Sequence, residues 1–464
     1  MDNNSVRLSF KEKIGYAVGD TASNLYFQIV MSFIPIFYTD VFGIPASALS
    51  IMFLVTRLWD AINDPIMGMI ADRTNTRWGK YRPYMLAVGL PFAAVSILTF
   101  ITPDFQVTGK IVYAYVTYTL MMMFYTAINV PYSALMGVMT ASNVERTKLS
   151  SYRFVAAFIG QFTVQSTILY LVSYLGDGDA SVGWPWTVAC FGGLAFALFT
   201  IVFFASKERV YPPKEQKSDF FQDLKDLFKN KPWVIIGTAT IFQLIFIVIR
   251  SSSGTYYVTY YIQEQIFNLF GSDYTLSINF LITLFYTSGS VAGVCGAILT
   301  NRFIKKVDKR IIYGGFLSTS AILSASYYFL PPEQLVIILI LNLMVSFLFG
   351  TVSALQWAMY TDTADYGEWK FGRRATGLIM AASLFMLKMG LTLGGAIVGW
   401  ILSIYNYVPN EAQTPEAMNG ILIMISLAPA LFGVLGGALM IFYPLSNKML
   451  AQMEEELTAK RAQS

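Results

Sequence analysis

The sequence predicts an all-α membrane protein whose twelve transmembrane helices form two pseudo-symmetric six-helix bundles. Three observations lead to this fold class. The composition, 55% hydrophobic and only 13% charged, is too apolar for a water-soluble protein of 464 residues. Uncharged runs such as 85–101, 113–136 and 335–349 suit helices that cross a hydrocarbon layer about 30 Å thick. A long polar insert also divides the chain near its middle.

The apolar stretches give approximate bounds for the twelve helices. We expect spans at 14–39, 47–71, 83–102, 110–139, 150–175, 184–205, 233–262, 276–300, 311–330, 334–364, 375–404 and 419–443. The first run is too long for a signal-peptide core, so we expect it to be retained.

These bounds define four regions. Residues 1–205 form the N-terminal six-helix bundle and residues 206–232 a cytoplasmic middle loop with an amphipathic connector at 223–228. Residues 233–445 form the C-terminal bundle, and residues 446–464 a cytoplasmic tail that we expect to be a short solvated helix.

The distribution of lysine and arginine orients these helices. Basic residues concentrate in the N-terminus, the even-to-odd loops and the tail, with Lys110 as the exception. Cationic loops stay in the cytoplasm, so both termini are predicted to be cytoplasmic. The opposite loops instead carry acids, namely Asp40, Asp104, Asp177, Asp179, Glu264, Asp273, Glu333, Glu411 and Glu416.

A repeat across the middle insert supports the two halves. The loop after helix 2 contains Asp72-Arg73 and Arg77, and the loop after helix 8 contains Asn301-Arg302 and two lysines. The general rule that cytoplasmic loops are basic would explain the charges but not the matched position in each half. We therefore favour two halves of one ancestral architecture.

Several classes of function are excluded or disfavoured by missing residue types. The chain has no histidine and two cysteines, Cys190 and Cys295, which both lie within apolar runs. A disulfide framework or thiolate metal site is therefore unsupported, and proton transfer would have to use carboxylates. A membrane-embedded hydrolase would lack an evident nucleophile with its base. We predict no enzymatic activity, no cofactor and no nucleic-acid partner.

Apart from Lys110 and Asp362 at the ends of their spans, seven charged residues lie inside the predicted spans, where each costs roughly 2.5 to 3.5 kcal/mol at a helix centre. Ion pairs that only held helices together could be replaced by apolar packing at little cost. Their number therefore favours a polar pathway through the protein. The seven are Asp20, Arg57, Asp60, Asp64, Arg153, Arg250 and Lys388.

Helix 2 carries the densest charged group. Arg57, Asp60 and Asp64 lie at i, i+3 and i+7, with Asn63 beside them, so they share one helix face. Two carboxylates one turn apart repel each other, and a shared proton or a small hard cation relieves the repulsion. This pattern is typical of a cation-coupling site. The alternative is a permanent charge network in which Arg57 and Lys388 neutralise the two acids.

Two further features have both a functional and a packing interpretation. Arg250 precedes Ser251-Ser-Ser-Gly254, which could open a helix around a ligand or only kink it. Trp357 could stack on a sugar ring or serve as packing. Gly390, Gly394, Gly395 and Gly399 have the spacing of a close helix contact.

The run Arg57-Leu-Trp-Asp60-Ala-Ile-Asn63-Asp64-Pro65 closely resembles the glycoside-pentoside-hexuronide:cation symporters, the group of the melibiose carrier within the major facilitator superfamily. The resemblance extends from helix 1 to helix 11. Its other motifs are Gly19-Asp20, Phe37-Tyr38-Thr39-Asp40, Asp72-Arg73, Arg77-Trp78-Gly79-Lys80-Tyr81-Arg82-Pro83, Asn129-Val-Pro131-Tyr132, Tyr152-Arg153-Phe154, Asp365-Tyr366-Gly367-Glu368 and Lys388.

The resemblance implies a role for each matching position. The family's cation site maps onto Asp60, Asn63 and Asp64, with the Thr126 hydroxyl on helix 4 added; these would hold sodium in a sodium-coupled carrier. Groups that hydrogen-bond the sugar map onto Asp20 and Arg153, while Tyr125 and Lys388 map near both sites. The full set of predicted substrate-binding residues is Asp20, Tyr125, Asn129, Arg153, Arg250, Trp357 and Lys388.

Two positions depart from the melibiose carrier. That carrier has an aspartate where this chain has Asn129 and a tryptophan where it has Ser133, which argues against a galactoside. The Asn-Val-Pro-Tyr form and Arg250 are more similar to the glucuronide and xyloside carriers. Arginines at 153 and 250 could neutralise a uronate carboxylate. A neutral pentoside also stays open as the substrate.

The resemblance thus implies a secondary active symporter that imports a sugar or glycoside by alternating access in the bacterial inner membrane. Sodium and a proton both stay open as the coupling ion, and the neutral oxygens of Asn63 and Thr126 favour sodium. We expect a monomer in the lipid bilayer. The alternative within the same fold is a lysolipid or other amphiphile transporter, which would want an apolar cleft where this chain has Asp20, Asn129, Arg153 and Arg250.

Overall fold

A computed structural model describes residues 8–140, 143–209, 227–269, 272–304, 306–371 and 376–463. Most of the predicted amphipathic connector at 223–228, and the side chain of Arg57, lie outside the described residues. The chain divides into two compact units, Met1–Glu215 and Gln216–Ser464.

Eight α-helices make up the described part of the first unit. They are α1 (Phe10–Gln28), α2 (Ile34–Ile36), α3 (Ala46–Arg73), α4 (Pro83–Ala87), α5 (Gly89–Thr99), α6 (Val107–Met139), α7 (Asn143–Leu175) and α8 (Ala180–Ala205). Two π-helical turns, Ile29–Phe33 and Phe37–Val41, flank α2.

The start of α1 follows from its sequence. Ser9 and Glu12 form a capping box in which each side chain accepts a hydrogen bond from the other residue's backbone N–H, which satisfies two donors of the first turn. Pro35, which has no N–H to donate, lies in the short α2 segment between the π-helical turns. The expected first span is thus one helical element with local changes of pitch.

Large aromatic side chains fill one end of the first unit. Phe37 lies 4.6 Å from Phe100 between ring centroids, and Phe100 stacks on Trp184 at 5.4 Å. All three are almost fully buried. These apolar contacts join the π-helical turn Phe37–Val41 to the end of α5 and to α8, whereas the polar side chains of α1 lie elsewhere along the chain.

The loop between α3 and α4 is fixed to the chain that follows α8. The Glu208 carboxylate accepts hydrogen bonds from the backbone N–H groups of Lys80, Tyr81 and Arg82 at 2.8 to 3.1 Å. Gly79 has φ +112°, and a Cβ there would lie 2.5 Å from the Glu208 carboxyl carbon. Only glycine fits such a conformation and such an approach without strain.

A buried acid joins α1 to α7. Glu145 is 4% exposed, and its carboxylate lies 2.7 Å from Lys13 Nζ and 3.0 Å from Lys148 Nζ. The hydrogen bonds from Lys13 and Lys148 lower the pKa of Glu145 from 4.5 to about 2. Its ionised form is therefore stabilised by folding.

We expect Glu145→Gln to lower the melting temperature at pH 7, where the native carboxylate is ionised. Because its folded pKa is depressed, the stabilisation is complete above the unfolded pKa near 4.5 and disappears as the pH falls towards 2. The melting-temperature difference from wild type should thus shrink between pH 5 and pH 3. Melting curves in detergent, with the exposed Glu264→Gln as control, measure it; a difference independent of pH would contradict it.

Eight further helices and a hairpin make up the described part of the second unit. The helices are α9 (Lys231–Tyr256), α10 (Ile278–Phe303), α11 (Lys309–Ala325), α12 (Leu335–Phe371), α13 (Thr376–Ile404), α14 (Pro415–Ile425), α15 (Leu427–Leu439) and α16 (Asn447–Gln463). A π-helical turn, Tyr257–Ile262, extends α9, and short 3-10 turns follow α11 and α15 at Ser326–Phe329 and Met440–Phe442.

The strands β1 (Gln265–Leu269) and β2 (Ser272–Leu276) pair antiparallel, with Gln265 opposite Leu276 and Leu269 opposite Ser272. The hydrophobic core of this unit lies between α9, α11, α12 and α15. Phe246, Leu317 and Leu355 are among its fully buried members.

Helices of the described chain coincide with all twelve expected spans. Eight are long and apolar enough to cross a membrane: Val107–Met139, Lys148–Leu175, Ala180–Ala205, Lys231–Ile262, Ile278–Thr300, Leu335–Phe371, Ala382–Ile404 and Pro415–Phe442. Ala46–Thr56 and Pro83–Thr99 are shorter apolar helices. The all-α membrane fold class is confirmed, and the count of twelve membrane crossings stays a prediction.

The expected close contact at the glycines of α13 is confirmed for two of them. A Cβ on Gly390 would lie 2.6 Å from Leu244 Cβ, and one on Gly394 would lie 2.6 Å from Val248 Cβ. Both contacts join α13 to α9, so these glycines serve helix packing.

Of the two alternatives for Ser251–Gly254, the opened helix is not observed. The α-helix continues through these residues to Tyr256, and the change to π-helical pitch begins only at Tyr257. The Ser253 hydroxyl donates to the Arg250 carbonyl oxygen at 3.1 Å, a bond made along the helix itself. Gly254 instead makes room for the Tyr286 hydroxyl, which lies 2.8 Å from where a Cβ would be.

The tail forms the predicted helix, but it is not solvated on all sides. Met453 and Leu457 of α16 are 2% and 4% exposed, and Met453 belongs to the core of the second unit. Trp369 Nε1 donates to Glu456 Oε2 at 2.7 Å, which fixes α16 to the end of α12. The sequence interpretation missed an apolar stripe among many charges.

Candidate functional site

The paired acids of helix 2 lie on one continuous helix, α3. Asp60 is 2% exposed, and Asn63 and Asp64 are half-buried. The Thr126 hydroxyl, on α6, donates to Asp64 Oδ1 at 3.0 Å, and Thr126 itself is 4% exposed. The structure therefore brings the Thr126 side chain to Asp64, and its role in cation binding stays a prediction.

This group offers oxygen atoms of two kinds. The carboxylates supply negative charge, whereas the Thr126 hydroxyl supplies a neutral oxygen that can donate to Asp64 and still present a lone pair. Hard cations such as sodium are bound by oxygens of this type. A proton would need only one carboxylate. The residue types are compatible with either ion, and binding of a cation here stays a prediction.

A second charged group lies between α1 and α7. Arg153 Nε donates to Asp20 Oδ2 at 2.6 Å, and Nη2 donates to Asp20 Oδ1 at 3.1 Å. The pair is thus a bidentate salt bridge, the strongest geometry available to arginine and a carboxylate. Both side chains are partly exposed, at 23% and 15%, so the pair is not sealed within the core.

Asn129 of α6 lies close to this second group. Ser23 Oγ donates to Asn129 Oδ1 at 2.6 Å, and Asn129 Nδ2 donates to the Tyr125 carbonyl oxygen at 3.0 Å. These two bonds orient the Asn129 amide, with its oxygen towards Ser23 and its nitrogen towards the Tyr125 carbonyl. Ser23 lies one turn after Asp20 on the same face of α1, a spacing that could have identified it from the sequence.

Tyr132 contributes to the same group and was missed as a functional residue. Its hydroxyl lies 2.6 Å from Asp20 Oδ2, and its ring centroid lies 5.1 Å from the Arg153 guanidinium carbon. Its place in the Asn-Val-Pro-Tyr motif, one turn after Asn129, was the available signal.

The predicted substrate residues of the second unit occupy separate environments. Arg250 is 4% exposed and donates to Ser324 Oγ, Tyr327 Oη and Asn342 Oδ1 at 3.0 to 3.1 Å. All three acceptors are neutral, so these bonds do not offset the positive charge of the guanidinium. Its role in substrate binding stays a prediction.

Trp357 and Lys388 lie on α12 and α13. Trp357 is 38% exposed and contacts the edge of Tyr360 at 6.0 Å between centroids. Lys388 is half-buried, and its carbonyl oxygen accepts a hydrogen bond from Thr392 at 2.8 Å. Their roles in substrate binding also stay predictions.

Comparison with known proteins identifies the family. The profile of the family described as MFS/sugar transport protein matches residues 15–447. The chain belongs to this family. It is therefore a multi-pass membrane transporter and not an enzyme, and the sequence-based resemblance to the glycoside-pentoside-hexuronide symporters is confirmed.

Two curated relatives and one solved structure illustrate the relationship. The inner membrane symporter YicJ of Escherichia coli is 36% identical over 97% of this chain and 95% of that relative. The isoprimeverose transporter of Lactiplantibacillus pentosus is 32% identical over 98% of this chain and 93% of that relative. The crystal structure of a D-xylose-proton symporter superposes with a TM-score of 0.65 at 16% identity, over 95% of this chain and 99% of that chain. This likeness confirms the major facilitator fold.

Proposed function

We propose that this member of the family imports a sugar or glycoside together with a cation bound at Asp60, Asn63, Asp64 and Thr126. One observation carries the proposal: a single helix, α6, contacts both charged groups. Thr126 bonds to Asp64, and Tyr132 bonds to Asp20. The two contacts are six residues apart, about 9 Å along a helix.

This arrangement supports coupling between the two ligands. A cation that draws Thr126 and Asp64 together changes the position of α6, and Asn129 and Tyr132 of the same helix move with it. By thermodynamic linkage, a sugar held at Asp20, Asn129 and Arg153 must then strengthen cation binding by the same factor. Alternating exposure of both sites to the two membrane faces would convert the cation gradient into sugar accumulation.

The proposed substrate is a pentoside or hexuronide. The relative named an isoprimeverose transporter supports a glycoside, and the Arg153 guanidinium supports recognition of sugar hydroxyls or a uronate carboxylate. Polar Asp20, Asn129 and Arg153 stand against the lysolipid alternative. We further propose a bacterial inner-membrane location with both termini cytoplasmic, and a monomer that needs only lipid, sugar and cation.

Two measurements test this proposal. Thermal shifts of the purified protein against nitrophenyl glucuronides, xylosides and galactosides, and against lysolipids, should show stabilisation by a glucuronide or xyloside. Uptake of that glycoside into proteoliposomes at fixed pH, with and without a sodium gradient, then identifies the ion. Stabilisation by lysolipids alone, or uptake insensitive to both sodium and proton gradients, would refute the proposal.

Replacing Thr126 with valine tests its place in the cation site. Valine keeps the branched shape but removes the hydroxyl, so we expect the half-saturating cation concentration to rise about ten-fold, as for a lost hydrogen bond to a charged group. Thr126→Ser keeps the oxygen and should remain near wild type. Cation-dependence curves of uptake measure both variants, and an unchanged curve for the valine variant would remove Thr126 from the site.

A further inference from the structure

We infer that Tyr132, supported by Tyr16 and Gly19, is a positioning residue that holds Asp20 and Arg153 in their substrate-binding geometry. The inference rests on the proposed role of Asp20 and Arg153 in sugar binding. The Tyr132 hydroxyl is a donor to Asp20 in addition to the Arg153 guanidinium.

The hydroxyl of Tyr132 has two acceptors within reach but only one proton. Asp20 Oδ2 lies at 2.6 Å and the Tyr16 carbonyl oxygen at 2.9 Å. The shorter distance is typical of a hydroxyl that donates to an ionised carboxylate, which is the stronger bond. The proton therefore goes to Asp20, whose Oδ2 also accepts from Arg153 Nε at 2.6 Å.

Tyr16 fixes the position of Tyr132. The two rings stack at 4.7 Å between centroids with an interplanar angle of 21°, and Tyr16 Oη donates to the Tyr132 carbonyl oxygen at 2.9 Å. Both side chains are at most 1% exposed. The hydroxyl that reaches Asp20 therefore stands on a rigid, fully buried support rather than on a mobile side chain.

Gly19 makes the approach possible. A Cβ at this position would lie 2.8 Å from Cζ of Tyr132, closer than real Cβ contacts come. Any larger residue would push the phenol ring away from α1 and lengthen the bond to Asp20. The Gly19-Asp20 pair of the motif is thus explained by the ring that must lie against it.

The aromatic pair also limits the movement of Arg153. Its guanidinium carbon lies 5.1 Å from the centroid of the Tyr132 ring and 5.8 Å from that of Tyr16, within the range of cation–π attraction. Tyr132 thus bonds to Asp20 with its hydroxyl and contacts the Arg153 guanidinium with its ring. A sugar hydroxyl would then meet donors and acceptors whose orientation is already set, which lowers the entropic cost of binding.

The test compares uptake kinetics of Tyr132→Phe and wild type in proteoliposomes, using nitrophenyl xyloside and nitrophenyl glucuronide. Loss of one charge-assisted hydrogen bond should raise the KM for the transported glycoside about ten-fold, with little change in maximal rate. Gly19→Ala should shift KM in the same direction. The matched control is Tyr313→Phe, which removes a buried tyrosine hydroxyl bonded to neutral Gln243 in the second unit and should leave KM unchanged.

The possible outcomes separate this inference from the proposed function. If Asp20→Asn abolishes transport and Tyr132→Phe leaves KM unchanged, the positioning role is wrong and the sugar site stands. If Asp20→Asn itself leaves KM unchanged, the proposed sugar site is wrong. An equal KM shift in Tyr132→Phe and Tyr313→Phe would show that losing any buried tyrosine hydroxyl has this effect. That result would overturn the inference.

Discussion

Asp64→Asn is expected to abolish accumulation of sugar against its gradient. Asparagine has nearly the same shape, and its Oδ1 can still accept the Thr126 hydroxyl, so the packing of α3 against α6 should survive. What disappears is the negative charge that binds a coupling ion. Without coupling, the carrier can only bring the internal and external sugar concentrations to equality.

The measurement pairs two assays on the same proteoliposomes. Uptake driven by the cation gradient should disappear, whereas sugar counterflow, which needs no net ion movement, should persist at a reduced rate. Asp179→Asn, outside the membrane-spanning helices where Asp179 caps the start of α8, is the matched control and should keep gradient-driven uptake. Continued accumulation by Asp64→Asn would remove this acid from the coupling site.

Arg153→Leu is expected to weaken sugar binding at least about 30-fold and to destabilise the protein as well. Truncating one member of a hydrogen-bonded charge pair commonly costs 2 to 5 kcal/mol in binding. The remaining Asp20 carboxylate would lie in a site from which two arginine donors have gone. Destabilisation on the order of 2 kcal/mol should result, because a charge within protein without its partner is costly.

A double variant separates these two effects. Asp20→Asn combined with Arg153→Leu removes both charges, so melting temperature should return towards the wild-type value while sugar binding stays lost. Melting curves and glycoside-induced thermal shifts on the single and double variants provide the comparison. Recovery of sugar binding along with stability would show that the pair serves packing only.

The charged side chains that are energetically costly to place in a membrane could be predicted from the sequence. Asp60, Asp64, Asp20 and Arg153 could be found because a charge within an apolar run needs an explanation wherever it occurs. The helical character of the spans followed for the same reason, since a backbone in lipid must satisfy its own hydrogen bonds.

The sequence did not predict which neutral residues support the charged ones. Tyr132 and Ser23 look like ordinary packing residues by residue type, although their spacing from Asn129 and Asp20 was a signal. Only the approach of α1 to α6 shows that the Tyr132 hydroxyl reaches Asp20 and the Ser23 hydroxyl reaches Asn129. The effect of the serines at 251–253 on their helix could not be predicted for a related reason. Their hydroxyls can bond within a regular helix, and that choice depends on the neighbouring helices and not on the local residue pattern.

The docked helix α16 has a practical consequence for anyone expressing this transporter. Because Met453 and Leu457 are buried and Trp369 bonds to Glu456, a fluorescent reporter or affinity tag joined at residue 446 would replace part of the second unit's core. Trp369 and the core surface that α16 covers would then be exposed and would promote aggregation in detergent. A tag attached beyond residue 463 keeps these contacts, and its fluorescence would report correctly folded carrier.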